Sequence, residues 1–289
     1  MFPEFEDSSL PAPTFSALRL GRDPNLPVPL RGVNQLSAGM KRRLLRLLIP
    51  PNLLTHFRIN PISWENPAGE PLIDITAEPG EPLLRLVGWH EPGARDPFYM
   101  LELVDNIFNG LDVNLLVLSD PHSPRYYTDR GLEGRDTLFG TIHRNLVEEE
   151  RAMLAGLAPA QIRLGLRASR LVMQGIEWFA AILGHPILYL EPLTYLDAWL
   201  FERRGCGYIS GRRLMEKIHV AFQPGEPLHA ALDGSTPFRQ PGQWRTVRGR
   251  AWAIHDGILA TIGESWNGVR MAKRVGYMAG MDTFPGALY

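Results

Sequence analysis

An α/β fold, with a mixed and mostly antiparallel central sheet flanked by helices, is what this sequence predicts. Three observations carry that expectation. Apolar, β-rich runs follow one another between Pro71 and Asp120, separated by turn chemistry. The block from Gln161 to Ser210 then parses as turn, long helix, strand, shorter helix and strand. Finally, 45% of the 289 residues are apolar, which suffices for a core in one large domain or two unequal ones.

The chain opens with a proline-rich arm, residues 1–34, in which Pro3, Pro11, Pro13, Pro24, Pro27 and Pro29 interrupt any periodicity. A core domain over 35–222 follows, with an insertion at 119–159, and a turn-rich C-terminal extension covers 223–289. Gln35 to Leu48 reads as a helix with Met40, Leu44, Leu47 and Leu48 on one side and Lys41, Arg42, Arg43 and Arg46 largely on the other. Pro50-Pro51 ends it. A solvated face accounts for these cations, and no anion site is assigned to them.

The strand runs are Leu72–Ala77, Pro82–Trp89, Phe98–Val104 and Leu111–Leu118, with Gly80-Glu81 and Pro92-Gly93 as turns, so neighbours in sequence are expected to pair antiparallel. The last is almost continuously apolar, as a central strand covered on both faces would be. Arg144 to Leu157 is a further helix, ended by Ala158-Pro159. Leu166 to Leu183 is the long one, with Leu166, Met173, Ile176, Ala180 and Leu183 at helical spacing and Arg167, Arg170, Gln174 and Glu177 opposite. Gly184 and His185-Pro186 stop it before the strand Ile187–Leu190. Thr194 caps the next helix with Asp197, and Gly205 provides its exit towards the strand Cys206–Ser210. Leu214 to Phe222 is a last helix. Beyond Pro224 the reading is turns anchored by Trp244, Trp252 and Trp266, with Arg248-Gly-Arg250-Ala-Trp252 resembling a basic strand.

Composition narrows the function classes. A net charge of -1 and a pI near 6.7 provide no basic field for nucleic acid or an anionic membrane. The single Cys206 excludes an internal disulfide and a cysteine metal cluster. Met1 to Leu10 is acidic and lacks the apolar core of a signal peptide, so the expectation is a soluble cytoplasmic protein.

The turn Gln161-Ile-Arg-Leu-Gly-Leu-Arg-Ala168 entering a helix, and the phrase Phe201-Glu-Arg-Arg-Gly-Cys206 closing the next, carry a resemblance. Together they resemble the second half of a GNAT-type acetyltransferase domain, from the acyl-coenzyme A N-acyltransferase superfamily. That resemblance implies acetyl-coenzyme A or another acyl-coenzyme A as co-substrate and a small-molecule amine or a peptide as acceptor. It implies a pyrophosphate cradle at Arg163, Leu164, Gly165, Leu166, Arg167 and Ala168, where backbone N–H groups meet the positive end of a helix. It implies that the backbone of Val117, Leu118 and Ser119 polarises the thioester. Ile162 and Arg167 depart from the family's turn, and Phe201 stands where many members carry an acidic tyrosine. Tyr195 and Tyr208 are the nearest replacements. A carboxylate near the middle of the sheet would serve as general base, with Glu102, Asp105 and Glu191 as candidates and Glu102 preferred.

Two other readings stand beside this one. A catalytically silent member would use the same groove to bind a ligand or partner. A metal-dependent enzyme would draw on Glu216, His219, His229, Asp233, His255 and Asp256, although one Glu-x-x-His falls short of a di-iron set. Ser235 with His255 lacks the elbow of a hydrolase. A homodimer, if formed, is expected through the N- or C-terminal arms.

Overall fold

The computed structural model describes residues 20, 26–131, 133–137 and 143–289, so Pro3, Pro11, Pro13 and Pro24 of the arm lie outside the described residues. In chain order the elements are α1 (Leu30–Asn34), α2 (Ala38–Leu45), α3 (Pro51–His56), β1 (Ile73–Thr76), β2 (Leu83–Gly88), β3 (Tyr99–Asp105) and β4 (Leu111–Leu118). Then come α4 (Leu146–Leu154), α5 (Ser169–Leu183), β5 (Ile187–Leu190), α6 (Tyr195–Arg203), β6 (Gly207–Ser210) and α7 (Arg212–Ala221). The chain finishes with α8 (Pro227–Ala230), α9 (Val247–His255) and β7 (Arg270–Arg274), and short 3-10 turns occupy Arg46–Leu48, Gln243–Arg245 and Ile258–Ile262.

The protein is therefore α/β, with a seven-stranded sheet in the order β1-β2-β3-β4-β5-β7-β6. The first four strands pair antiparallel, β4 and β5 run parallel, and β6 pairs antiparallel with β7. Among the described residues, no helix is long and apolar enough to cross a membrane.

Contacts divide the described residues into two compact units, each assembled from separate stretches of chain. The first holds the described residues up to Pro121 together with Gly165–Leu190 and Lys273–Tyr277. The second holds those of His122–Leu164 with Glu191–Ala272 and Met278–Tyr289.

In the first unit α5 presents Val172, Met173, Ile176, Phe179, Ala180 and Leu183 to the core, the apolar stripe expected of it. The helix starts at Ser169 rather than at Leu166, because Arg167 takes a left-handed φ of 56° that no helix accommodates. Gly184, at φ 81°, closes it, and its N–H and that of His185 take the last carbonyls. Gly175 lets α5 approach the turn after α2: a Cβ there would meet Leu47 O at 2.1 Å. Asp105 accepts the N–H groups of Leu30 and Arg31 at 2.7 and 3.1 Å and so caps α1.

In the second unit Thr194 and Asp197 form the expected capping box at the start of α6. Phe238 stacks on Trp252 at 5.2 Å, and the Trp252 indole donates to Leu157 O at 2.8 Å, which centres a small core completed by Ala152. The stretch Arg248–Trp252 is helical, within α9, and not a strand. Its N-terminus is fixed by the Thr246 hydroxyl, which accepts from Gly249 N at 2.9 Å.

Candidate functional site

In the first unit the features that bear on chemistry gather on β4. Its register with β3 shifts between Glu102 and Leu103: Glu102 faces Leu115 while Leu103 faces Val113, which leaves Asn114 as a bulge. The pairing with β5 covers only Leu111–Val113 against Leu188–Leu190, so β4 loses that neighbour where it bulges. Ser119 N donates to Phe98 O on the β3 side at 3.0 Å. Strand alternation therefore turns the main-chain groups of Leu118 and Leu116 to the opposite side, beyond the β5 register. Leu118 O there accepts from Leu166 N at 3.3 Å, and Ser119 bridges to Gly165.

Glu102 is next to the bulge. Its Oε1 accepts from the Asn114 amide at 2.5 Å and its Oε2 from Arg85 at 2.7 and 2.5 Å, bonds that fix the carboxylate's position beside the bulge. The α5 terminus lies in the same unit. Ala168, its N-cap, has no side-chain acceptor, and the first turn has no acidic residue to offset the positive end of the helix.

Glu102, Val117, Leu118, Ser119, Gly165, Leu166, Arg167 and Ala168 thus all belong to the first unit, whereas Arg163, Leu164, Tyr195 and Tyr208 belong to the second. Arg163 donates to the Ser123 carbonyl, and Leu164 N to Ser123 Oγ at 3.1 Å. The other two candidate bases have different occupations. Asp105 caps α1, and Glu191 is exposed, 3.7 Å from Arg270.

Tyr195 and Tyr208 come together around a residue that the sequence reading passed over, Glu202. Its Oε1 accepts from the Tyr208 hydroxyl at 2.5 Å and from Thr283 Oγ1 at 2.7 Å, and its Oε2 from Thr283 N at 3.1 Å. Burial, reinforced by this carboxylate, raises the Tyr208 phenol well above its ordinary range. Burial also pushes Tyr195 up to about 12, against the pull of Arg250. The Arg250 guanidinium is itself buried; it donates to Trp244 O at 2.7 Å and lies 3.5 Å over the Phe284 ring. Neither phenol is poised to release a proton near neutrality.

The potential metal ligands are dispersed among other tasks. Glu216 pairs with Arg212, His219 faces Arg250, His229 packs on Trp244, and Asp233 accepts from Ser235 N. His255 faces Glu149 at 3.3 Å, while Asp256 takes Arg144 and Arg239, each at 2.9 Å. Burial pushes the Glu149 carboxyl up, but hydrogen bonds from His255 and Arg144 outweigh it and leave the group below its usual range. Among the described residues, no group of three or more His, Cys, Asp or Glu is placed to hold a metal ion. Comparison with family models, curated proteins and solved structures found no match to the chain.

Proposed function

We propose that this protein is an acyl-coenzyme A-dependent N-acyltransferase acting on an amine, built on an acyl-coenzyme A N-acyltransferase-like core. The observation that carries this reading is the coincidence on β4 of the Asn114 bulge, the end of the β5 pairing at Val113, and Glu102. A strand that sheds its neighbour leaves main-chain groups for an extended ligand to pair with, and the pantetheine arm, with its two amides, is such a ligand. Of the segment Val117–Ser119, Leu118 has its N–H on that side and would receive the thioester oxygen. Pyrophosphate would lie at the uncapped start of α5, with Arg167 beside it.

Glu102 would take the amine proton, directly or through a water. The amine nitrogen then attacks the thioester carbon, the C–S bond breaks, and the departing thiolate takes its proton from solvent. That last step follows from Phe201, which has no proton to give.

A specific observation favours the silent alternative. The Leu166 N–H is engaged by Leu118 O and the Leu164 N–H by Ser123 Oγ, two donors that a pyrophosphate cradle would otherwise use. Calorimetric titration with acetyl-coenzyme A, followed by thiol release across a panel of amines, separates the readings. Saturable binding with thiol release that falls about 10²- to 10⁴-fold in Glu102→Gln supports the enzyme. Binding without release selects the silent protein. No binding up to about 1 mM overturns both.

A further inference from the structure

The first unit holds a second concave feature, on the segment between α3 and β1. A cavity of about 560 Å³ opens there, lined among others by Arg58, Asn60, Ser63 and Glu65. The strand order puts β2 and β3 between β1 and β4, and none of the residues lining this space lies on β4 or at the start of α5. It is not part of the β4 site.

Arg58 and Glu65 set the cavity's character. Opposite charges on one short loop can close on each other as an ion pair. Here they do not: among the described residues neither the guanidinium nor the carboxylate has an ion-pair or hydrogen-bond partner, although both line the same space. The amides around them are committed: Asn60 Oδ1 accepts from Ile62 N and Ser63 N, and Asn66 Oδ1 from Ala68 N and Glu70 N, so the loop's own turns do not claim the exposed Arg58 or the half-buried Glu65.

Arg58 stands just past the end of α3, where Arg58 N donates to Thr55 O at 3.0 Å and Ile59 N to Leu54 O at 2.9 Å, the two bonds that close a helix C-terminus. Its φ of 56° is that helix exit, whereas Trp64 at φ 64° is a bulky residue in a conformation it rarely adopts. The strain is fastened by Trp64 N on Asn60 O at 2.8 Å, by Leu72 N on Trp64 O at 3.0 Å, and by Arg42 lying 5.5 Å over the indole. Strain of this kind persists only where the surroundings over-determine it, and it concentrates at ligand sites.

From these observations we infer that the cavity binds a small zwitterion, an amino acid or a short peptide, with Arg58 taking its carboxylate and Glu65 its ammonium group. A guanidinium offers paired N–H donors to a carboxylate, and a carboxylate accepts from an ammonium; each partner here is one-half of the ligand's own charge pair. The space is an open groove of about 560 Å³, large enough in volume for an amino acid or a dipeptide lying along it with one side in solvent. A ligand with one charge alone leaves the opposite wall group unmatched and is discriminated against.

The test uses the full chain and needs no acyl transfer, so it stands apart from the β4 reading. The free L-amino acids and a set of free dipeptides are titrated by ligand-observed NMR and by thermal shift, beside the same compounds N-acetylated or C-amidated. Saturable binding by at least one free zwitterion, weakened about tenfold or more by either blocking group, is the expected result. Arg58→Gln and Glu65→Gln, both at non-core positions and checked for an unchanged circular dichroism spectrum, are each expected to weaken it by a similar factor. Absence of saturable binding across both panels overturns the inference, as does equal binding of blocked and free compounds. Retention of full affinity by both variants would do the same.

Discussion

Glu202 accepts hydrogen bonds from Tyr208 and twice from Thr283 while only 2% exposed, so removing its carboxylate strands three donors together. Glu202→Ala is expected to lower the unfolding free energy by about 2–4 kcal/mol, and Tyr208→Phe by about 1 kcal/mol, in urea titrations. Equal losses would mean that the Thr283 bonds contribute nothing. His219 carries a pH dependence. Burial lowers its pKa, Arg250 lowers it further, and Asp282 opposes them. Its Nδ1 faces Arg250 Nη1 at 3.3 Å, Gln223 lies on its other nitrogen, and Phe284 packs on the ring. His185, held against Val28 O at 3.0 Å, is lowered by burial as well. With folded pKa values below the unfolded one, the unfolded chain binds more protons as pH falls. The stability from the neutral rings is complete above about pH 6.5 and is lost on acidification through the folded values. The melting temperature should therefore drop between roughly pH 7.5 and 5.5, and His219→Gln should flatten that slope; an unchanged slope in the variant sinks the assignment. Of these residues, Tyr195 and Tyr208 were legible as candidates, but Glu202 was not. Its partner Thr283 lies 81 positions away, and no local pattern announces such a bond.

At the level of elements, α5 offers a test of sign. A glycine inside a helix is ordinarily improved by alanine, by roughly 1 kcal/mol. Gly175→Ala is expected to do the reverse and destabilise by about 1–3 kcal/mol, since its Cβ would fall 2.1 Å from a backbone oxygen that cannot rotate away. Stabilisation on chemical denaturation would show that α5 and the Leu47 turn part easily. Strands were well read from the sequence because alternation and turn residues are local: the four runs expected between Leu72 and Leu118 match β1 to β4 within a residue or two at either end. The long helix was placed three residues early because Leu166 fits the apolar period, while the left-handed turn at Arg167 leaves no mark in it. α9 was missed for the opposite reason. Val247, Gly249, Arg250, Ala251, Trp252, Ala253 and Ile254 are all buried, so the helix has no solvent face and hence no amphipathic period.

At the level of the molecule, the two units share the C-terminal third between them. Lys273 is 2% exposed, 3.5 Å from Glu177, and Val275 N donates to Pro186 O at 3.0 Å, which ties Lys273–Tyr277 into the first unit. Phe284, over Arg250, and Thr283, on Glu202, belong to the second. A chain ending at residue 222 should therefore fail to fold either unit to its native state. Its amide NMR spectrum is expected to lack native dispersion, and a well-dispersed spectrum for residues of β1 to β4 would contradict this. Sequence patterning was blind to such a division, because a compact unit formed from separate stretches has no compositional boundary to read.

The return of Lys273–Tyr277 to the first unit also sets an order in time. A ribosome adding about 5–20 residues per second completes β1 to β5 and then takes on the order of ten seconds before the segment that closes that unit emerges. Through that interval the nascent β5 edge waits without β7, with its hydrogen-bonding groups open to any strand that arrives first. Production of this protein thus depends on what shields an unfinished sheet as well as on how stable the finished one is.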